Sequence, residues 1–502
     1  MGIFNGVLFD YQKVAATRIN EQRKVLLADQ PGLGKTLEVL GALELGGLLE
    51  REATILILTP IINAQTTWRD SIVRFVGAHY KYNLVDVSKG SSTQKAKQFE
   101  QDLLPNVPTF VLANHDAIAM TSKGVRVNGI VNNFVYDAVI VDESHMVLPI
   151  KDQRKPTNFW KGLGIVKATN YAFRVAISGT PDRGKLENRY GTWKFLFPSE
   201  MKSRWEWLED NFFITEQKVS RTRTIKATSG LKSKASWLAK DAELMIRRTK
   251  GEVLPQLPPK RYVDVELELS EAQKIAYFTQ QQKALEEVFN AEVEERNTAA
   301  AMTFALRARQ IVDCMWSEDE NGFTPIAGGA SSKLDWLMEW LSERGFIEHD
   351  DMADNSAQVV IVSQFSKVLH WLKGELNGRG IACAVLDGST SDGRRTSIQR
   401  DFQEGSLRVV LLSGSMGVGI NLDAADDLVM FDSPYDPDRV EQIEDRIHRA
   451  SSNHSVTIWN LIATDSIDQA IMLKVSERYA TTRTLMDGAR GVEFARKILE
   501  VM

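Results

Sequence analysis

Cysteine is nearly absent: Cys314 and Cys383 are the only two in 502 residues. Two are too few for a disulfide framework or a cysteine zinc site, so the sequence predicts a reducing compartment, no zinc, and two thiols that merely pack. Long apolar runs are also missing. The longest, such as Ile55-Leu56-Ile57-Leu58, fall far short of the roughly 20 residues of a membrane helix. The N-terminus shows no basic stretch followed by an apolar core, so the expectation is a cytoplasmic protein with no membrane association. Nor does one sign of charge dominate. Lys and Arg number 61 against 66 Asp and Glu, a net charge of −5, so a nucleic-acid partner would have to meet local basic patches. Arg221, Arg223, Lys226, Lys232 and Lys234 form one such patch, and Arg247, Arg248 and Lys250 another. There is no low-complexity tail and no short-period repeat.

What is present reads as α/β. The chain is 43% hydrophobic and 25% charged, enough for two or three domains with real cores. Short apolar runs recur with helical segments between them: Val25–Ala28, Thr54–Leu58, Thr109–Leu112, Ala138–Val141 and Val175–Ser178. They imply a parallel sheet flanked by helices. A second series at Val359–Val362, Cys383–Leu386, Val409–Leu412, Leu428–Phe431 and Val456–Leu461 implies a second such unit. Between the series lie segments read as helical insertions, about 186–246 and about 270–318. The cluster Pro255-Gln256-Leu257-Pro258-Pro259 cannot continue a helix and marks the seam, giving lobes 1–255 and 256–502.

The most informative stretch is Asp29-Gln30-Pro31-Gly32-Leu33-Gly34-Lys35-Thr36, set between a strand-like and a helix-like run. Gly32 and Gly34 have no Cβ, so backbone N–H groups can close around phosphate oxygens where a helix dipole favours an anion. Lys35 would reach the β/γ-phosphates, and the Thr36 hydroxyl would hold Mg2+. The general pattern has glycine where Asp29 stands.

Two further groups suit phosphate chemistry. Asp142 and Glu143 follow the run Val139-Ile140-Val141, so the first carboxylate would hold Mg2+ and the second would orient and deprotonate an attacking water. Gln442, Arg446 and Arg449 are spaced i, i+4 and i+7 behind the helix start Asp436-Pro437, which predicts one face with an amide and two guanidiniums. With two lobes and one phosphate loop, the expected nucleotide position is the cleft between lobes, where these arginines would stabilise transferring charge.

The order of segments resembles the SWI/SNF-like branch of the superfamily-two helicases and translocases, over nearly the whole chain. Leu8-Phe9-Asp10-Tyr11-Gln12 looks like its Q motif and Asp29–Thr36 its motif I, which also begins with Asp. Leu58-Thr59-Pro60 with Trp68 resembles motif Ia, Asp142–His145 motif II, and Ser178-Gly179-Thr180-Pro181 motif III. In the second half Ile361–Phe365 looks like motif IV, Ser413–Leu422 motif V and Gln442–Arg449 motif VI. More discriminating are Leu386-Asp387-Gly388-Ser389-Thr390 and Ile246-Arg247-Arg248-Thr249-Lys250 with Leu257-Pro258-Pro259-Lys260, similar to the segment that joins the lobes in this branch.

The resemblance implies two RecA-like lobes using ATP and Mg2+, with Gln12 reading adenine and Gly419 among the nucleotide-binding positions. It also implies a DNA groove, for which Thr59, Asn114, Gln364, Ser389 and Ser413 are the candidates by position. Contacts to phosphate would grip without reading sequence and would weaken with salt. Ser144 departs from the usual glycine or alanine, and the second-lobe insertions look short. The expectation is therefore a monomeric, compact bacterial or phage translocase acting on duplex, forked or junction DNA rather than a chromatin remodeller. The alternatives are an RNA helicase of the same superfamily and an ATP-gated clamp without motor activity.

Overall fold

Apolar runs of the first half pair as one seven-stranded parallel sheet. The computed structural model describes residues 2–88, 94, 103–118, 120–121, 124–125, 134–150, 155–182, 185–218, 224–232, 241, 243–290, 294–319, 322–346, 357–415, 420–449, 452 and 454–473. The chain divides into two compact units, Met1–Pro255 and Gln256–Met502.

In the first unit the strands are β1 (Lys24–Leu27), β2 (Thr54–Thr59), β3 (Asn83–Asp86), β4 (Thr109–Asn114), β5 (Tyr136–Val141), β6 (Ala168–Ile177) and β7 (Met245–Ile246), in spatial order β7-β1-β6-β5-β2-β4-β3. All their pairings are parallel. Because side chains alternate along a strand, each apolar run feeds two cores at once, which is why it reads as continuous. Val25, Leu27, Ile55, Ile57 and Ile140 enter one core, while Leu26, Ala28, Leu56, Leu58 and Val141 enter the other. Helix α1 (Asp10–Gln22) and helix α2 (Lys35–Leu45) cover the first of these faces. The order places β1, β6 and β5 side by side in the sheet, so their carboxyl-end loops are neighbours.

The second unit repeats the plan with β8 (Lys260–Leu267), β9 (Val359–Ser363), β10 (Cys383–Leu386), β11 (Val409–Ser413), β12 (Asp427–Met430) and β13 (Val456–Ala463), in the order β8-β13-β12-β9-β11-β10 and again all parallel. Helices α3 (Glu271–Asn290) and α4 (Glu294–Asp313) occupy the stretch expected as a helical insertion. Helix α5 (Pro437–Ile447) follows β12.

The stretch 186–246 departs from the expected helices. Helices Arg189–Leu196 and Arg204–Asn211 are present, but Phe212–Lys218 and Thr224–Leu231 form an antiparallel hairpin. Phe212, Phe213, Ile214 and Thr215 are aromatic and β-branched, side chains that lose χ1 freedom in a helix and pack well on a pleated surface. Arg221, Arg223 and Lys234 of the first basic patch lie outside the described residues, as does Gly419. Among the described residues no helix is long and apolar enough to cross a membrane.

Candidate functional site

The loop after β1 has the backbone that its glycines permit. Gly32 and Gly34 have φ of +86° and +82°, in the left-handed region. Gly34 is the N-cap of α2 and contributes no side-chain cap, so the first amides of that helix are available to an anion. Lys35 opens the helix with its Nζ on the carbonyls of Asp29 (2.8 Å) and Gln30 (3.4 Å). A Cβ on Gly34 would lie 2.3 Å from Gln12 Nε2, so no other residue fits there without displacing the amide.

Gln12 itself lies against this glycine. Its amide is buried, with Nε2 donating to Leu33 O (2.9 Å) and Oε1 accepting from Phe9 N (3.0 Å). Tyr11 donates to the same carbonyl at 3.0 Å. One end of the Gln12 side chain therefore braces the phosphate loop, and the other caps the start of its own helix.

Asp142 and Glu143 stand at the end of β5. Asp142 Oδ2 accepts from Thr59 Oγ1 (2.8 Å), Trp68 Nε1 (3.0 Å) and Asn63 Nδ2 (3.1 Å), and its Oδ1 accepts the Glu143 amide (2.9 Å). Four donors compensate one buried charge. Asn63 and the donor role of Trp68 escaped the sequence reading, because a side chain aimed at a carboxylate 79 or 74 residues away in sequence leaves no local pattern. Thr59 was expected at a nucleic-acid groove; it is fully buried, its hydroxyl taken by the carboxylate on the neighbouring strand. Asn114, at the end of β4, is buried as well.

Glu143 adopts φ +45° and ψ +46°, a conformation that costs a non-glycine residue about 1–3 kcal/mol and is retained where its surroundings enforce it. His145 supplies part of that enforcement. Its Nδ1 lies 2.8 Å from Ser178 Oγ and 3.3 Å from Glu143 Oε2, and Ser178 Oγ also accepts the Thr180 amide at 3.1 Å. Gly179 then packs on the loop, with 2.8 Å separating Pro31 from the position of a Cβ there. A continuous set of contacts thus runs from Glu143 through His145, Ser178 and Gly179 to the phosphate loop.

The second basic stretch is not a surface patch. Arg247 donates to the carbonyls of Ala28 (2.7 Å) and Gly179 (3.1 Å), and Arg248 pairs with Asp29 and with Glu38 (2.7 Å). The Lys250 side chain lies 3.1 Å from where a Cβ on Gly32 would stand. Charge spacing in the sequence cannot distinguish a solvated face from one turned onto a loop; here the pairing of β7 with β1 turns it inward.

In the second unit α5 ends at Ile447, so Gln442 and Arg446 lie on the helix and Arg449 beyond it. The expected single helical face is corrected accordingly. The chain leaves the helix because Leu422 N takes the Arg446 carbonyl (3.0 Å) and Ser452 Oγ takes the Arg449 amide (2.9 Å). The Arg449 guanidinium donates to Ile420 O at 2.8 Å, and burial pulls its proton affinity down. Ser413 is fully buried with its hydroxyl 2.8 Å from that of Ser415, which removes it as a surface donor. Ser389 is exposed, but its hydroxyl donates to Asp387 at 2.7 Å. Burial pushes the Asp387 carboxyl up, and hydrogen bonds from Ser389 and His370 outweigh it, leaving a pKa of about 2. The Gln364 amide rests on Gly414.

The loop residues fit a nucleoside triphosphate: positive-φ glycines, uncapped helix amides and a lysine converge on one cradle. Thr36 and Asp142 are a hydroxyl and a carboxylate of the hard-oxygen kind that suits Mg2+.

Comparison with known proteins gives the family. Residues 12–315 match the SNF2-related domain and residues 332–451 the helicase conserved C-terminal domain. A Mycoplasma pneumoniae protein described as an uncharacterized ATP-dependent helicase is 23% identical over 467 residues, covering 92% of this chain and 40% of that protein. The mouse chromodomain-helicase-DNA-binding protein 1-like is 25% identical, covering 95% of this chain and 49% of its own length. The chain thus spans less than half the length of these relatives. The Sulfolobus solfataricus SWI2/SNF2 ATPase core in complex with dsDNA is 19% identical with a TM-score of 0.38, covering 95% of this chain and 93% of that one. Matched to its model over more than half its length, the chain belongs to the SNF2-related family, with a helicase conserved C-terminal domain following.

Proposed function

We propose that this chain is a DNA-stimulated ATPase that uses ATP and Mg2+ to move along duplex or branched DNA. The observation that carries the reading is the contact path from Glu143 through His145, Ser178 and Gly179 to the phosphate loop, which ties a carboxylate at one strand end to the cradle at another. In this reading the first unit is the ATP-binding lobe and the second the C-terminal helicase lobe. Loop amides and Lys35 bind the phosphates, Thr36 and Asp142 hold the metal ion, and Glu143 takes the proton of the attacking water. Mg2+ would supply charge neutralisation on the phosphate oxygens. Gln442, Arg446 and Arg449 stabilise charge on the transferring phosphoryl group. Gln364 and the exposed Ser389 are the remaining candidates for contact with the DNA backbone.

The match to the SNF2-related domain and the helicase and DNA-binding names of the relatives support DNA as partner. The test is phosphate release by the full chain with single-stranded, duplex, forked and four-way DNA and with RNA in parallel. Expected are a stimulation by DNA of about tenfold or more, a weaker effect of RNA, and turnover lost in Lys35→Ala. RNA as the stronger activator, or undiminished turnover in Lys35→Ala, would overturn the assignment. Stimulation should fall as salt rises, because contacts to backbone phosphates release counterions.

A further inference from the structure

The position of the phosphate loop that departs from glycine in the general pattern carries a buried ion pair. Asp29 is fully buried, and Arg248 reaches it with two nitrogens, Nε to Oδ1 at 3.2 Å and Nη2 to Oδ2. The same Nη2 donates to Glu38 Oε1 at 2.7 Å, one turn into the helix that begins at Lys35. Arg248 Nη1 donates to the carbonyl of Tyr11, and its guanidinium lies 5.2 Å from the Tyr11 ring. One side chain thus fastens the start of the loop, the helix after it and the segment that braces it.

The backbone around Arg248 is tied to the same loop. Ala28 N donates to Ile246 O (2.7 Å), Gln30 N donates to Arg248 O (3.0 Å), and Lys250 N donates to Gln30 Oε1 (2.8 Å). The first unit ends five residues after Lys250, at Pro255. A purely structural ion pair would serve equally well anywhere in the core; this one closes on the loop itself.

We propose that Arg248 is a positioning residue for the phosphate loop: by bridging Asp29 and Glu38 it holds the loop in its nucleotide-binding shape, so that the docking of Met245–Lys250 sets nucleotide affinity. This rests on the loop being the nucleotide site. Glu38 supports the link independently. Burial, then the charge of Asp29, drive its carboxyl well above the usual range, and Arg248 opposes both. Without the guanidinium, two buried carboxyls face each other beside the loop and must rearrange.

The test is equilibrium binding of a fluorescent ADP to the full chain, wild type against Asp29→Ala, Arg248→Gln and the double variant, with thermal unfolding measured alongside. Each single change is expected to weaken binding about tenfold or more, and the double change to be no weaker than the worse single, because one link is cut in all three. A merely structural pair would lower the unfolding temperature and leave the affinity of the folded protein alone. Binding by folded Asp29→Ala within about twofold of wild type, or fully additive losses in the double variant, would overturn the proposal. Should Arg248→Gln fail to fold, Asp29→Ala decides, since it keeps the Arg248 pair with Glu38. A wild-type chain that binds no fluorescent ADP overturns the assignment of the loop, and the positioning role with it.

Discussion

Glu143→Gln is expected to lower ATP turnover by about 10²–10⁴-fold while leaving nucleotide affinity within a few-fold of wild type. The amide keeps the size and polarity of the side chain but cannot accept a proton from water. The surroundings of this residue make the change informative. Its left-handed backbone is set by the turn after β5, and His145 stands 3.3 Å from its carboxylate, so the substitution removes a base without moving the chain. Phosphate release in a single turnover, set beside equilibrium binding of a fluorescent ATP analogue, separates chemistry from binding. Turnover that survives in Glu143→Gln would show that the proton goes elsewhere.

Arg189→Met is expected to cost about 3–5 kcal/mol of stability, read as a fall in denaturant midpoint. Arg189 is fully buried and pairs with Asp182 at 2.6 and 2.8 Å and with Asp241 at 3.0 Å. Its removal leaves two buried carboxyls without their cation. The loss should grow with pH. In the intact protein burial already lifts the Asp241 pKa to about 6, with Arg189 pulling it back and Asp182 adding to the rise. A carboxyl whose folded pKa lies above its unfolded value favours the folded state most at pH below the unfolded value, and loses that contribution as pH rises through the folded one. Without Arg189 the folded value climbs further, so the deficit of the variant should be larger at pH 8 than at pH 5. A deficit independent of pH would mean that the two carboxyls reach solvent or another partner.

The position of this ion pair also matters for the site. Asp182 follows Ser178-Gly179-Thr180-Pro181, and Asp241 lies just before β7, whose continuation carries Arg247 and Arg248 onto the phosphate loop. Arg189 therefore anchors two of the segments that meet at the loop.

Most of the strand positions were legible because parallel strands buried on both faces must be apolar throughout. Within the two large sheets, the strands that the sequence did not disclose lie at the edges. β3 and β7 are four and two residues long, and β8 alternates half-buried with exposed positions, so none forms an apolar run. The hairpin Phe212–Leu231 was hidden for a different reason: its tryptophan- and charge-rich surroundings carry helical spacing that its own aromatic and β-branched residues override.

Within the candidate site, the glycines, Lys35 and the acidic pair were recognisable because each belongs to a short contiguous string. Partnerships were not. A threonine after a strand reads the same whether its hydroxyl meets solvent or, like Thr59, a carboxylate on the next strand. Arginine at position 248 reads as surface charge until the fold brings it to Asp29, more than two hundred residues away in sequence. The hydrogen bond from the Gln12 amide to Leu33 O left no trace in the sequence for the same reason.

Triplex-strand displacement tests the motor reading most directly. The full chain is added with ATP to duplex DNA carrying a third strand at a distance from the loading end, and release of that strand is followed over time. The expected result is release by the wild type that needs ATP hydrolysis, slows as the intervening duplex lengthens, and is absent in Glu143→Gln. DNA-stimulated ATP hydrolysis with the third strand left in place would contradict it and leave a nucleotide-gated clamp as the function.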